Sequence, residues 1–389
     1  MMSDVFIIGA GCSVPYGFPT GVMLMQKLKN FDYGEKLPRN DEYPIGDLFL
    51  VNLYQERFGY SIANNIGLHG SKYAWSLPST KDEDLYNQLM DEIVLPFSQS
   101  IRHSMMVSTD EFLKNRLGQK QNEQADFGKR LIAYEILKAE QASRLGNIDW
   151  IQHLLSRIDQ QSNWEEILKQ TVFLTFNYDR VLEYCIFLYL TSDKQYTDAD
   201  AHAFIKEMQI FHVNGFIGPL DKIPFGCVEN GKYQEIAKGM ETVWEKRKNR
   251  DESEKEKYQG FLKNAERVYF LGFSYIPDNL ESIGIPRGAE IIRNAKVYAT
   301  AMGLSSQNRL RISTYLDLMD FEKRNEPEPM PEIEIRRTGL MSDAYYQREY
   351  EKQERIAKTL AKLRREHYEN RILKDASAVD LILDYYTFQ

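Results

Sequence analysis

The stretch Val5-Phe6-Ile7-Ile8 is apolar without alternation and stops at Gly9-Ala10-Gly11. A run this short, rich in β-branched residues and closed by glycine, reads as a strand buried on both faces, and so as the interior of a parallel sheet. The signature returns at Thr171–Phe176, at Gln209–Val213, at Arg267–Leu271 ahead of Gly272, and at Ala295–Thr300. Helical periodicity lies between several of these runs. Strands alternating with helices predict an α/β fold around a mostly parallel sheet.

The rest of the chain is organised around those strands. A helix is expected from about Thr20, with Val22, Leu24, Met25 and Leu28 on its inner side. From about residue 31 to 170 strand signals are sparse. Asp126–Leu145 carries Leu131, Ile132, Ile136 and Leu137 at helical spacing; after Gly146, residues Ile148, Ile151, Leu154, Leu155 and Ile158 mark another amphipathic helix. This region reads as a mostly helical insertion that either packs over the sheet or forms a lid on a pocket. The charge-dense Glu245–Lys257 reads as a solvated helix or a mobile loop. Pro327, Pro329 and Pro331 among acidic residues read as a linker, Ser342–Tyr368 as a charged helical stretch, and Val379–Tyr386 is apolar again. The expected division is therefore 1–320, holding the sheet and the insertion, and 321–389, holding a linker and a helical C-terminal segment.

At 389 residues and 43% hydrophobic content the chain can bury a sizeable core, and its net charge of −8 argues against direct nucleic-acid binding. Cys12, Cys185 and Cys227 stand apart, without zinc-ligand spacing and without an even count. Neither a disulfide framework nor a metal site is expected, which fits a reducing, cytoplasmic setting. No basic-then-apolar leader precedes the first strand, so no signal peptide is expected. No apolar run approaches the ~20 residues of a membrane span.

Chemistry is sought where strands end, because the carboxyl edge of a parallel sheet faces the ligand crevice. The turn Gly9-Ala10-Gly11-Cys12-Ser13 could present backbone N–H groups to a pyrophosphate, or be an ordinary tight turn. A common dinucleotide fingerprint would need a third glycine where Val14 stands. Asn177 and Asp179 follow the second run as polar groups, or as helix caps. Glu183, one turn further on, reads as a supporting or surface group. His212 closes the third run, either as a ligand-facing imidazole or as a hydrogen-bonded core residue. Ser274 follows Gly272 after the fourth. Two similar motifs, His69-Gly70-Ser71 and Asn147-Ile148-Asp149, lie outside this pattern, and Asn147 reads as a helix cap.

Taken in order, these residues resemble the sirtuin catalytic domain. Gly9-Ala10-Gly11-Cys12-Ser13, continuing through Gly17-Phe18-Pro19, is similar to the sirtuin glycine loop. Asn177 and Asp179 match its Asn-x-Asp, His212 its catalytic histidine, and Gly272-Phe273-Ser274 its cofactor-contacting Gly-x-Ser. The family's Asp-Phe-Arg is replaced by Thr20-Gly21-Val22, and its four-cysteine zinc module is missing. The pattern is more similar to bacterial sirtuin-like NADases of antiphage defence, in Thoeris or beside a HerA-type ATPase. The resemblance implies a Rossmann-like core with NAD as substrate and no metal, bound by Gly9, Ala10, Gly11, Cys12, Ser13, Pro19, Gly272 and Ser274. It implies Asn177, His212 and Asp179 as catalytic residues, with Asn177 orienting water and ribose and His212 contacting a ribose hydroxyl and accepting a proton. Cleavage would give nicotinamide and ADP-ribose. Control of so destructive an activity implies a homo-oligomer or a HerA-type partner, through the insertion or the segment after Ser342. A protein deacylase, a non-catalytic NAD or ADP-ribose scaffold and a Rossmann oxidoreductase are the rival readings.

Overall fold

Continuous apolar runs need both faces covered, and the structure, a computed structural model, supplies that cover. It describes residues 3–34, 43–44, 48–58, 66–69, 72–75, 80–145, 149–227, 233–240, 252–320 and 343–387. Strands β1 (Ser3–Ile8), β2 (Val172–Thr175), β3 (Gln209–His212), β4 (Ala265–Leu271), β5 (Lys296–Thr300), β6 (Met319–Asp320) and β7 (Arg371–Lys374) form one sheet in the order β3-β2-β1-β4-β5-β7-β6. Every neighbouring pair runs parallel. All five strands read from the sequence are present, in a Rossmann-like arrangement. From β1 the chain moves outward through β2 and β3, then returns to pair β4 on the other side of β1. That reversal opens a crevice at the carboxyl ends of β1 and β4.

The two faces build two cores. Val5 and Ile7 join Val268, Phe270 and Val297 on one face; Phe6 and Ile8 join Phe173, Tyr269 and Tyr298 on the other. On the latter face Phe173, Phe6, Tyr269 and Tyr298 sit in register and stack across four strands, with ring centroids 5.3, 4.7 and 5.3 Å apart. Such pairs add about 0.5–1.5 kcal/mol each beyond their burial.

Helix α1 (Gly21–Lys29) starts where Thr20 Oγ1 accepts from Met23 N–H, and it buries Leu24, Met25 and Leu28. Val22, read as inward-facing, is instead 47% exposed. The insertion is mostly helical. It includes α2 (Thr109–Gly118), α3 (Asn122–Ala139) and α4 (Trp150–Asp159), together with a small antiparallel sheet that pairs Lys72–Trp75 with Tyr43–Pro44 and with Ile66–His69. That sheet holds His69; Gly70 and Ser71 lie outside the described residues. Asp149 caps α4 by accepting from Trp150 N–H; Asn147, read as a cap, lies outside the described residues with Gly146 and Ile148.

Helix α5 (Val181–Leu188) follows β2. Of the charged stretch, residues 252–257 open helix α6 (Glu252–Lys263), and 245–251 lie outside the described residues. Helix α6 and α7 (Ser306–Leu316) cover the Val5 face through Tyr258, Leu262, Ile312 and Leu316. The proline-rich 321–342 segment lies outside the described residues. Beyond it, α8 (Asp343–Tyr368) is helical as read from the sequence.

The C-terminal segment is nevertheless no appendage. Strand β7 enters the sheet between β5 and β6, and α9 (Ala378–Tyr385) packs on α4. Arg371, 3% exposed, explains the disguise: its guanidinium donates to Ile292 O at 2.8 Å, Leu316 O at 3.0 Å and Asp317 O at 3.0 Å, so an arginine sits inside a buried strand. Among the described residues no helix is long and apolar enough to cross a membrane.

Candidate active site

The carboxyl ends of β1, β2 and β4 converge on one cavity of about 740 Å³, within the usual size range of ligand sites. Gly9, Ala10, Gly11, Pro19, Asn177, Asp179, Gly272 and Ser274 all line it. Cys12 and Ser13, expected with them, do not. Both are buried behind the turn, where the Cys12 carbonyl accepts from Trp150 Nε1–H at 3.2 Å.

The glycines are there for a reason other than the one the turn suggested. Gly9 N–H donates to Leu271 O at 2.9 Å and Gly11 N–H to Gly272 O at 3.0 Å. Cys12 and Ser13 donate back into the same turn, to Gly9 O and Ala10 O. Within the turn only Ala10 keeps its N–H clear of these bonds. A Cβ at Gly9 would stand 2.5 Å from Gly272 O, and one at Gly11 would stand 2.9 Å from Gly272 Cα. Gly272 itself has φ +54 and faces Cys12 N. Missing side chains thus let two strand-end loops touch backbone to backbone and close the floor of the crevice.

Asn177 is fixed on every side but one. Its N–H donates to Thr175 Oγ1 at 3.1 Å, and its side-chain Nδ2 donates to Gly9 O at 3.2 Å and Ser13 Oγ at 3.0 Å. Among the described residues nothing donates to Oδ1, which is left as an acceptor for a ligand. Ser13 also hydrogen-bonds Asp179, whose Oδ1 accepts from Val181 N–H at 3.2 Å. Burial pushes the Asp179 carboxyl up to about 6, against the pull of those two hydrogen bonds. Near neutral pH it is a carboxylate able to oppose positive charge or take a proton.

His212 adjoins this cavity without lining it. Its Nδ1 lies 2.9 Å from Asn177 O and its Nε2 lies 2.5 Å from Glu183 Oε1. A carbonyl and a carboxylate both accept, so the ring donates from both nitrogens and stands as an imidazolium. Burial works against that charge, but the Glu183 carboxylate and its hydrogen bond outweigh it and raise the His212 pKa. In this arrangement the ring has no lone pair with which to take a proton. It stacks on Phe216 at 4.3 Å and lines a second cavity of about 410 Å³ with Glu183, His202 and Tyr258. Glu183, read as a surface or supporting group, is buried and is the partner of His212.

Two further features escaped the sequence. Arg180 is fully buried; its guanidinium meets both Glu140 oxygens at 3.0 and 2.6 Å and donates to Gly218 O and Ile223 O. Glu140, whose pKa burial raises despite Arg180, also accepts from Gly226 N–H. This clasp joins the end of α3 to the loop beyond β3, which supplies Asn214 to the cavity. An arginine at the end of an apolar strand and ahead of an apolar helix was the available sign that a buried partner must exist. Second, the insertion walls the cavity through Val107–Lys114, and Tyr178 Oη donates to Asp110 Oδ1 at 3.4 Å. The insertion thus contributes one wall of the pocket.

Among the described residues no group of His, Cys, Asp and Glu side chains is arranged to hold a metal ion. No family model matches the chain, and no curated protein gives a significant match.

Proposed function

We propose that the chain binds NAD in the strand-end cavity and hydrolyses its nicotinamide–ribose bond, giving nicotinamide and ADP-ribose. The observation that carries this reading is that Asn177 Oδ1, without a hydrogen-bond partner among the described residues, and the buried Asp179 carboxylate line the same cavity. Breaking the bond to a cationic leaving group builds positive charge on the ribose. A carboxylate near that carbon opposes the charge, and an amide oxygen accepts from a water or a ribose hydroxyl and orients it. His212 serves here by holding the Asn177 carbonyl, and its own charge is balanced by Glu183. As an antiphage-defence effector such an enzyme would deplete cellular NAD when triggered, under the control of a homo-oligomer or a HerA-type ATPase.

Chromatography of NAD incubated with the protein, alone and with the product of its neighbouring gene, tests this. Nicotinamide and ADP-ribose are the expected products, and Asn177→Ala should lower turnover about 10²–10³-fold, the usual cost of a lost transition-state contact. Equal turnover by Asn177→Ala would refute the assignment. A second reading, a non-catalytic NAD or ADP-ribose scaffold, draws on His212 lining the second cavity and not this one. It predicts binding with no nicotinamide released under any condition.

A further inference from the structure

The glycine turn leaves a question of charge. A pyrophosphate entering this cavity needs cationic or N–H partners, yet the turn amides at Gly9, Gly11, Cys12 and Ser13 already serve carbonyl oxygens within the protein. Among the described residues that line the cavity, Lys114 is the one cation; the acids are Asp110, Glu111, Asp179 and Asp278. Lys114 is exposed and forms no hydrogen bond or ion pair with a described residue. It belongs to α2, in the insertion, and α2 packs against α1, whose first residues Gly21 and Val22 also line the cavity.

Position along α2 adds a direction. Asp110 sits at its N-terminal end and takes the hydroxyl of Tyr178, the neighbour of Asn177 and Asp179. Lys114 follows four residues later on the same side of the helix, about 5–6 Å farther from that end. NAD carries its charges in the same sequence: a cationic nicotinamide ring on one ribose, then the anionic pyrophosphate. With the nicotinamide ribose at Asn177, the ring lies toward Asp110 and the pyrophosphate toward Lys114.

We infer that α2 reads the charge order of the dinucleotide, with Lys114 as the positioning residue for the pyrophosphate and Asp110 facing the nicotinamide cation. This rests on the NAD reading above and deepens it. Phosphate recognition would then come from the insertion, whose helix α2 walls the cavity.

The test is equilibrium binding to the full-length protein, by calorimetry, of ADP-ribose, NAD and nicotinamide riboside. ADP-ribose carries the pyrophosphate without the cation, and nicotinamide riboside carries the cation without phosphate. Lys114→Ala should weaken ADP-ribose and NAD about tenfold, the scale of one charge-assisted hydrogen bond at a partly open site. It should leave nicotinamide riboside unchanged, and Lys114→Arg should restore the first two. Asp110→Asn should weaken NAD and nicotinamide riboside but not ADP-ribose. Lys114 is exposed, so an unchanged melting temperature certifies the fold. Lys114→Ala that binds ADP-ribose like wild type, or that weakens all three ligands equally, overturns the inference while leaving the NAD reading standing. Wild-type protein that binds neither NAD nor ADP-ribose overturns both.

Discussion

Replacing Glu183 with Gln exchanges the carboxylate that meets His212 Nε2 at 2.5 Å for a neutral group of the same shape. In the wild-type protein the His212 pKa is raised, because Glu183 outweighs burial. The glutamine amide can donate to Nε2, so the variant ring sheds that proton and keeps its Nδ1 bond to Asn177 O. The consequence for stability depends on pH. A histidine whose folded pKa is raised contributes stability that is full below its unfolded value near 6.5 and is lost as pH rises through the folded value. In the variant, a ring held neutral by burial costs about 1.4 kcal/mol for each pH unit below 6.5, or about 2 kcal/mol at pH 5, and nothing well above 6.5. Both effects act in the same direction. The stability gap between wild type and Glu183→Gln should therefore be at least about 2 kcal/mol wider at pH 5 than at pH 9, where only the difference between a charged and a neutral hydrogen bond, about 1 kcal/mol, remains. Urea unfolding of both proteins at the two pH values measures the gap, and proton NMR of the imidazole gives the titration directly. A gap independent of pH, or a wild-type His212 that titrates below 6.5, would show that the ring is neutral in the native protein and that the reasoning fails.

With Asp179 at about 6 and needed as a carboxylate, kcat/KM should fall about tenfold for each pH unit below 6, and Asp179→Asn should abolish both the turnover and the acid limb. Because its folded pKa is raised from 3.8, Asp179 favours the folded state at low pH and loses that contribution between 3.8 and 6, leaving a cost of about 3 kcal/mol above pH 6. Asp179→Asn should accordingly raise the melting temperature at pH 7.5, and a drop there would contradict the burial argument. Glu140→Ala strands the fully buried Arg180 guanidinium and should lower stability by about 3–5 kcal/mol in urea unfolding, with Arg180→Met introduced alongside recovering part of the loss.

The sheet was legible because its strands are covered on both faces. Val5, Phe6, Ile7 and Ile8 are all at most 3% exposed, so the run needs no alternation and stands out from helical patterns. The strand at Arg371–Lys374 failed the same test. It begins and ends with a cation, and the burial of Arg371 depends on carbonyl groups of residues 292, 316 and 317, which adjacent sequence cannot reveal. Val22 shows the opposite error: an apolar residue at helical spacing was read as core, although it lies on the side of α1 that lines the cavity.

For the site, the sequence showed which end of the sheet each residue occupies, since a strand's direction sets that. Asn177, Asp179, Gly272 and Ser274 follow runs whose parallel pairing brings them to one edge. Which way a side chain turns once its strand has ended is decided by partners elsewhere along the chain. His212 pairs with Thr175 in register, at the edge strand, and there Glu183 on the next helix and the Asn177 carbonyl claim both of its nitrogens. The glycine turn follows the same rule: its spacing suited a phosphate, while the return of β4 to the side of β1 gave the Gly9 and Gly11 N–H groups to Leu271 and Gly272. A motif therefore locates a crevice with more certainty than it assigns the atoms within it, because the crevice follows from topology whereas each donor goes to whichever acceptor the neighbouring strand delivers.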